Sequence, residues 1–208
     1  MKALILVDIQ NDFCPGGALA VNHGNEVVAV ANRLSKSGAF NYIVLTQDWH
    51  PQEHRSFASN NDGAKVGTLG ELNGLPQVWW PDHCVWNTPG SELHKNLLTG
   101  RANLIIRKGM DKAVDSYSGF FDNDGSPVGL GSYLKERSAR EVYIMGLATD
   151  YCIKFTALDC VKLGFDTYLI EDGCRAVNIN PDDGDKAIEE MKAAGIKVVH
   201  SDTLTKRS

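Results

Sequence analysis

Six short apolar runs recur along the chain, spaced widely enough to leave connecting elements between them. They are ALILV at 3–7, YIVLT at 42–46, NLIIR at 103–107, VYIMG at 142–146, TYLIE at 167–171 and IKVVH at 196–200. Continuous runs rich in β-branched residues predict strands buried on both faces, as in a parallel sheet. Between them, apolar positions fall at helical spacing over 25–37 (Val27, Val28, Val30, Ala31, Leu34), 152–163 (Phe155, Leu158, Val161) and 185–194 (Ala187, Ile188, Met191). Strands alternating with helices predict a three-layer α/β/α fold around a mostly parallel sheet. Segment 48–90 breaks the pattern. It is rich in Pro, Gly, Asn, His and Trp, has no clear period, and reads as a loop excursion of the kind that carries function.

Ligands of open α/β sheets bind outside the carboxyl ends of the strands. Asp8, Asp48 with His50, Lys108, and Cys152 all fall just past such ends. That shared placement singles them out more than the chemistry of any one of them.

Composition narrows the field. With 208 residues, 43% of them hydrophobic, the chain is expected to form one domain with an ample core. A formal charge of −5 and no basic block argue against nucleic acid or anionic membrane as partner. The N-terminal apolar run of five residues ends in a carboxylate, too short for a signal peptide or a membrane span, so a cytoplasmic location is expected. Five scattered cysteines without a CxxC pair predict neither structural disulfides nor a thiolate zinc site.

Each candidate group has a bland reading beside the functional one. Thr149 or Asp150 could cap a helix starting near Tyr151, placing Cys152 in a first turn where the dipole would lower its pKa; otherwise Cys152 is a packed small side chain. Asp8 is either a partly desolvated acid suited to proton transfer or a carboxylate capping its loop. Lys108 either offsets that carboxylate or is solvated. Asp48, His50, His54 and His83 supply the oxygen and nitrogen donors that zinc, iron(II) or manganese(II) accept, if they converge. Phe13 and Trp80 are core residues or the walls of a slot for a planar ring.

Several stretches, taken in order, resemble the bacterial nicotinamidases and pyrazinamidases of the isochorismatase-like cysteine hydrolases. They are ILVDIQNDFCPGGALAV (5–21), TQDWHPQEHRSFAS (46–59), WPDHCVWNTPG (80–90), RKGMDKAVDSYSGFFDN (107–123), MGLATDYCIKFTALD (145–159) and DGCRAVN (172–178). The resemblance implies a catalytic triad of Asp8, Lys108 and Cys152, and a divalent metal, zinc before iron or manganese, on Asp48, His50 and His83. His54 matches a position that is a ligand in some members and not in others. It also implies aromatic substrate contacts from Phe13, Trp80 and Tyr117, and a cis peptide between Leu147 and Ala148 that lets the N–H groups of Ala148 and Cys152 form an oxyanion hole. The implied reaction is hydrolysis of nicotinamide, and of pyrazinamide, through a Cys152 thioester in NAD salvage. The implied partner is a small molecule, and either a monomer or a homo-oligomer is compatible. Isochorismatases and N-carbamoyl-amine amidohydrolases usually lack the Asp, His, His set, and a phosphorylation receiver would need paired acids where Ile9 and Gln10 stand. A catalytically dead binding protein would not be expected to keep Asp8, Lys108 and Cys152 together.

Overall fold

The computed structural model describes residues 1–205. All six predicted strands form, as β1 (Lys2–Val7), β2 (Tyr42–Asp48), β5 (Leu104–Lys108), β6 (Glu141–Leu147), β7 (Asp166–Arg175) and β8 (Lys197–Val199). They make one fully parallel sheet in the order β5-β2-β1-β6-β7-β8. The three predicted helices are α1 (Val27–Lys36), α3 (Lys154–Lys162) and α4 (Asp183–Ala193), joined by a short α2 (Leu130–Glu136) and a one-turn α5 (Asp202–Thr205). Right-handed crossovers that leave β1 in opposite directions put α1 on one face of the sheet and α2, α3 and α4 on the other.

The central strands are apolar all round because both faces are covered. Ala3, Leu4, Ile5 and Val7 have no exposed surface, and Val142 and Ile144 of β6 match them. Each such Leu or Ile contributes about 1.5–3 kcal/mol through burial. On α1 the stripe Val27, Ala31 and Leu34 faces inward, while Arg33 and Lys36 occupy the last turn, where they suit the negative end of the helix dipole. The edge strand β5 departs from the sequence reading. It alternates, with Ile105 45% exposed, because only one of its two faces is covered.

The order of strands reverses direction between β1 and β6, and the crevice beyond their carboxyl ends is where such sheets bind ligands. Gly146 allows the two strands to meet there. At φ 128°, a Cβ on it would lie 2.1 Å from the Val7 carbonyl oxygen. The irregular segment 48–90 folds over this end and contains a two-stranded antiparallel hairpin, β3 (Leu69–Leu72) and β4 (Leu75–Val78), turning at Asn73 and Gly74, both with positive φ. Among the described residues no helix is long and apolar enough to cross a membrane.

Candidate active site

Asp8 leaves β1 at φ 48° and is completely buried. Thr46, on the neighbouring β2, donates its hydroxyl to Asp8 Oδ1 at 2.6 Å and accepts the Asp8 N–H at 3.2 Å. The second oxygen, Oδ2, lies 3.0 Å from Lys108 Nζ but has no aligned hydrogen bond. Burial raises the Asp8 pKa, with Lys108 pulling against it. An unspent acceptor of raised basicity is what proton abstraction calls for.

Cys152 follows β6 by five residues. The chain turns through a cis Leu147–Ala148 peptide and then a single wide helical turn, Thr149–Ile153, before α3 starts. Neither of the proposed caps acts as one. Asp150 instead reaches across to the loop after β7, accepting the N–H groups of Val177 at 2.9 Å and Asn178 at 2.8 Å. The thiol is not lowered as a helix-start cysteine would be. Burial drives it well above its ordinary value, and Lys108 offsets part of that. The resting form is therefore a thiol that needs a base. Its sulfur and carboxylate oxygens of Asp8 and Asp48 all lie within 4.8 Å of one another.

Lys108, 1% exposed, is the hub. Its ammonium donates to Asp48 Oδ1, to the Ser116 carbonyl at 2.8 Å and to Cys152 Sγ at 3.4 Å, beside the ion pair to Asp8. Burial alone would favour the neutral amine, yet Asp48 and Asp8 raise its pKa well above the ordinary value. Lys112, its sequence neighbour, is solvent-exposed.

The second half of the site converges as well. Asp48 Oδ2 lies 3.6 Å from His50 Nε2 and 3.9 Å from His83 Nε2, and one donor atom from each of the three fits within 4.8 Å. His50 Nδ1 lies 2.8 Å from the Gly109 carbonyl and His83 Nδ1 2.8 Å from the Pro81 carbonyl. A carbonyl only accepts, so each Nδ1 carries the proton and each Nε2 lone pair points inward, the arrangement a bound cation requires. Burial holds His83 at about 4, hence neutral; His50 is raised, because the Asp48 charge outweighs its burial. The donor set and its tautomers fit a divalent metal. Gly109 makes the His50 contact possible, since a Cβ there would lie 2.3 Å from the His50 ring.

His54 packs near this group, its ring tilted 47° to that of His50 with the centroids 4.3 Å apart, but its nitrogens are spent. Nδ1 takes the Ser56 hydroxyl at 2.7 Å and Nε2 donates to the Val114 carbonyl at 3.2 Å. It falls outside the converged set of donors.

A small cavity adjoins the thiol. Phe13, Trp80, Tyr117, Ala148 and Cys152 line it, together with Leu19, His83, Asp115, Tyr151 and Val177. Trp80 Nε1 donates to Tyr117 Oη at 3.1 Å, and the Tyr151 ring packs edge-on to Trp80 at 4.8 Å. Thr46, Asp115 and Tyr151 escaped the sequence reading. Thr46 sits mid-strand and Asp115 in a loop, so neither has a periodicity to mark it; Tyr151, beside Cys152, was readable as a neighbour.

A thiol, a carboxylate and an ammonium kept from water beside an aromatic slot suit cysteine-dependent acyl transfer, here at the switch point of a doubly wound sheet. The isochorismatase domain matches residues 2–203, and the chain belongs to that family. A nicotinamidase from Escherichia coli is 50% identical over 200 residues, covering 93% of this chain and 92% of its own. The solved nicotinamidase and pyrazinamidase of Acinetobacter baumanii matches with a TM-score of 0.94 at 44% identity, over 98% of this chain and 97% of that one. The pyrazinamidase of Pyrococcus horikoshii in complex with zinc matches at 0.78 and 40% identity, over 96% and 98%.

Proposed function

We infer that the protein is a nicotinamidase, converting nicotinamide and water to nicotinate and ammonia and accepting pyrazinamide as a second substrate. The observation that carries this is the joining of Cys152, Lys108 and Asp8 to an aromatic cavity and a three-donor metal set through one buried lysine. Half-identity to a nicotinamidase over nearly the whole chain supports the same reading.

The carboxamide carbon is placed against Cys152 Sγ with the ring between Phe13 and Trp80. Asp8 Oδ2 takes the thiol proton as sulfur attacks, and the Ala148 and Cys152 N–H groups receive the developing oxyanion. Neither amide has an acceptor among the loop hydrogen bonds of the described residues. Asp8 then delivers the proton to the departing nitrogen, ammonia leaves, and a thioester remains. Water, deprotonated by Asp8, attacks the thioester carbon, and the thiol is restored as nicotinate forms. Lys108 stays charged throughout and stabilises the ionised states of Asp8 and Cys152. Asp48, His50 and His83 would hold a divalent metal, zinc being the one bound in the Pyrococcus relative; when bound it supplies a Lewis-acid anchor for the pyridine nitrogen. His54 would support that site from behind.

The test is turnover of nicotinamide by purified, metal-supplied protein, followed as nicotinate and ammonia, beside Cys152→Ala. We expect turnover by the first and a loss of at least about 10⁴-fold in the second. No turnover by the wild type, or equal turnover by the variant, refutes the reading.

A further inference from the structure

Asp115 is a carboxylate that the reaction above does not use. It lies in the wall of the same cavity as Cys152 and is only 4% exposed. Its position is fixed twice: Oδ1 accepts the Ser116 N–H at 2.8 Å, and Oδ2 accepts Gln77 Nε2, from β4, at 2.6 Å. The Gln77 amide cannot turn over to offer its oxygen instead, because the same Nε2 also donates to the Val78 carbonyl at 2.7 Å. Asp115 thus accepts two hydrogen bonds, and among the described residues it makes no salt bridge. Its charge is felt across the cavity, adding to burial in raising the Tyr117 hydroxyl.

The ionic inventory around the cavity gives this residue a consequence. Among the described residues two carboxylates, Asp8 and Asp48, pair with one ammonium, Lys108, and two more, Asp115 and Asp122, lie nearby without a salt bridge. A divalent ion on Asp48, His50 and His83 offsets most of that negative charge and leaves no positive excess. A neutral amide enters such a pocket without electrostatic cost, whereas the acid formed from it adds a negative charge that nothing left over offsets.

We propose that Asp115 is a specificity residue that discriminates against anionic ligands, admitting the neutral amide and weakening the hold on the carboxylate product. This rests on the amidase reading above. The discrimination comes from charge at a distance through a poorly hydrated interior, where one unit charge several ångströms away changes an anion's affinity by about tenfold or more. Asp115→Asn keeps the shape and removes the charge, at the cost of one accepted hydrogen bond, a loss that acts on a neutral ring as much as on an anion.

The experiment uses metal-loaded wild type and Asp115→Asn. Calorimetry gives the dissociation constant for nicotinate and for 3-acetylpyridine, a neutral ring of similar shape, and steady-state assays give KM for nicotinamide and the inhibition constant for nicotinate. The expected result is nicotinate binding tighter to the variant, with the ratio of nicotinate to 3-acetylpyridine affinity raised at least about tenfold. A gain of affinity does not arise from misfolding. Nicotinate affinity that is unchanged or weaker, or an equal gain for the neutral ring, overturns the proposal. Absence of nicotinamide turnover by the wild type would instead overturn the function on which it rests.

Discussion

The two halves of the site are built by different means. Asp8 follows the central strand β1, Lys108 ends the edge strand β5, and Cys152 follows β6 through one turn, so the sheet's own spacing brings them together. His50 and His83 belong to an irregular segment, and carbonyls of Gly109 and Pro81 hold their rings in place. The first half is preset by the backbone of the whole domain; the second depends on local hydrogen bonds. A scaffold that must align a proton transfer within tenths of an ångström uses its stiffest parts, while an anchor for a ring can be assembled from a loop.

Lys108 belongs to both halves, and removing its charge breaks the comparison at once. Lys108→Met leaves Asp8 and Asp48 buried without their counter-ion, so we expect turnover to fall at least about 10³-fold and stability by about 3–5 kcal/mol. Urea denaturation and product assays measure both; a variant of normal stability would show that the carboxylates are compensated elsewhere.

The histidines separate next. His83→Ala removes an inward-facing lone pair and should weaken zinc binding more than about 100-fold in a chelator competition, whereas His54→Ala, which removes only a neighbouring support, should weaken it about tenfold. Nicotinamide affinity should follow the metal, while alkylation of Cys152 by iodoacetamide stays within about threefold. Equal metal losses in the two variants would place His54 among the donors.

The smallest effect is on pH. Asp8 is raised above the ordinary aspartate value of 3.8, and in the proposed mechanism its ionised form is the base, so kcat/KM should fall as protons are added through that raised pKa. The acid limb of the profile should therefore lie above the ordinary carboxylate range. Thr46→Val, which deprives the carboxylate of its hydroxyl donor, should move that limb further up.

Much of this architecture was legible because buried strands and their ends leave a pattern. The apolar runs placed Asp8, Asp48 and Lys108 at a common edge before any contact was known. Other features left none. The LGSYLKE segment of α2 is too short and too polar for a helical period, and the Leu-Asn-Gly-Leu turn of the β3–β4 hairpin was a readable signal hidden inside a stretch judged irregular. Asp150 sits where a cap belongs, but its partners lie 27 and 28 residues on, beyond the reach of local reasoning. The thiol's direction of shift lies beyond the sequence for a related reason: dipole effects are visible there, and burial is not. His54 shows the limit of ligand spacing, since the two groups that occupy its nitrogens cannot be inferred from the distance between histidines.

The bond from Asp150 to Val177 and Asn178 ties the far wall of the pocket to the turn that bears the thiol. For anyone reshaping this protein toward bulkier aromatic amides, that tie divides the lining into two kinds of position. Leu19 and Val177 can be varied in side chain to gain room, because Val177 is anchored through its backbone rather than its methyl groups. Asp150 must stay, or the cavity and its reacting sulfur will drift apart together with the space that was gained.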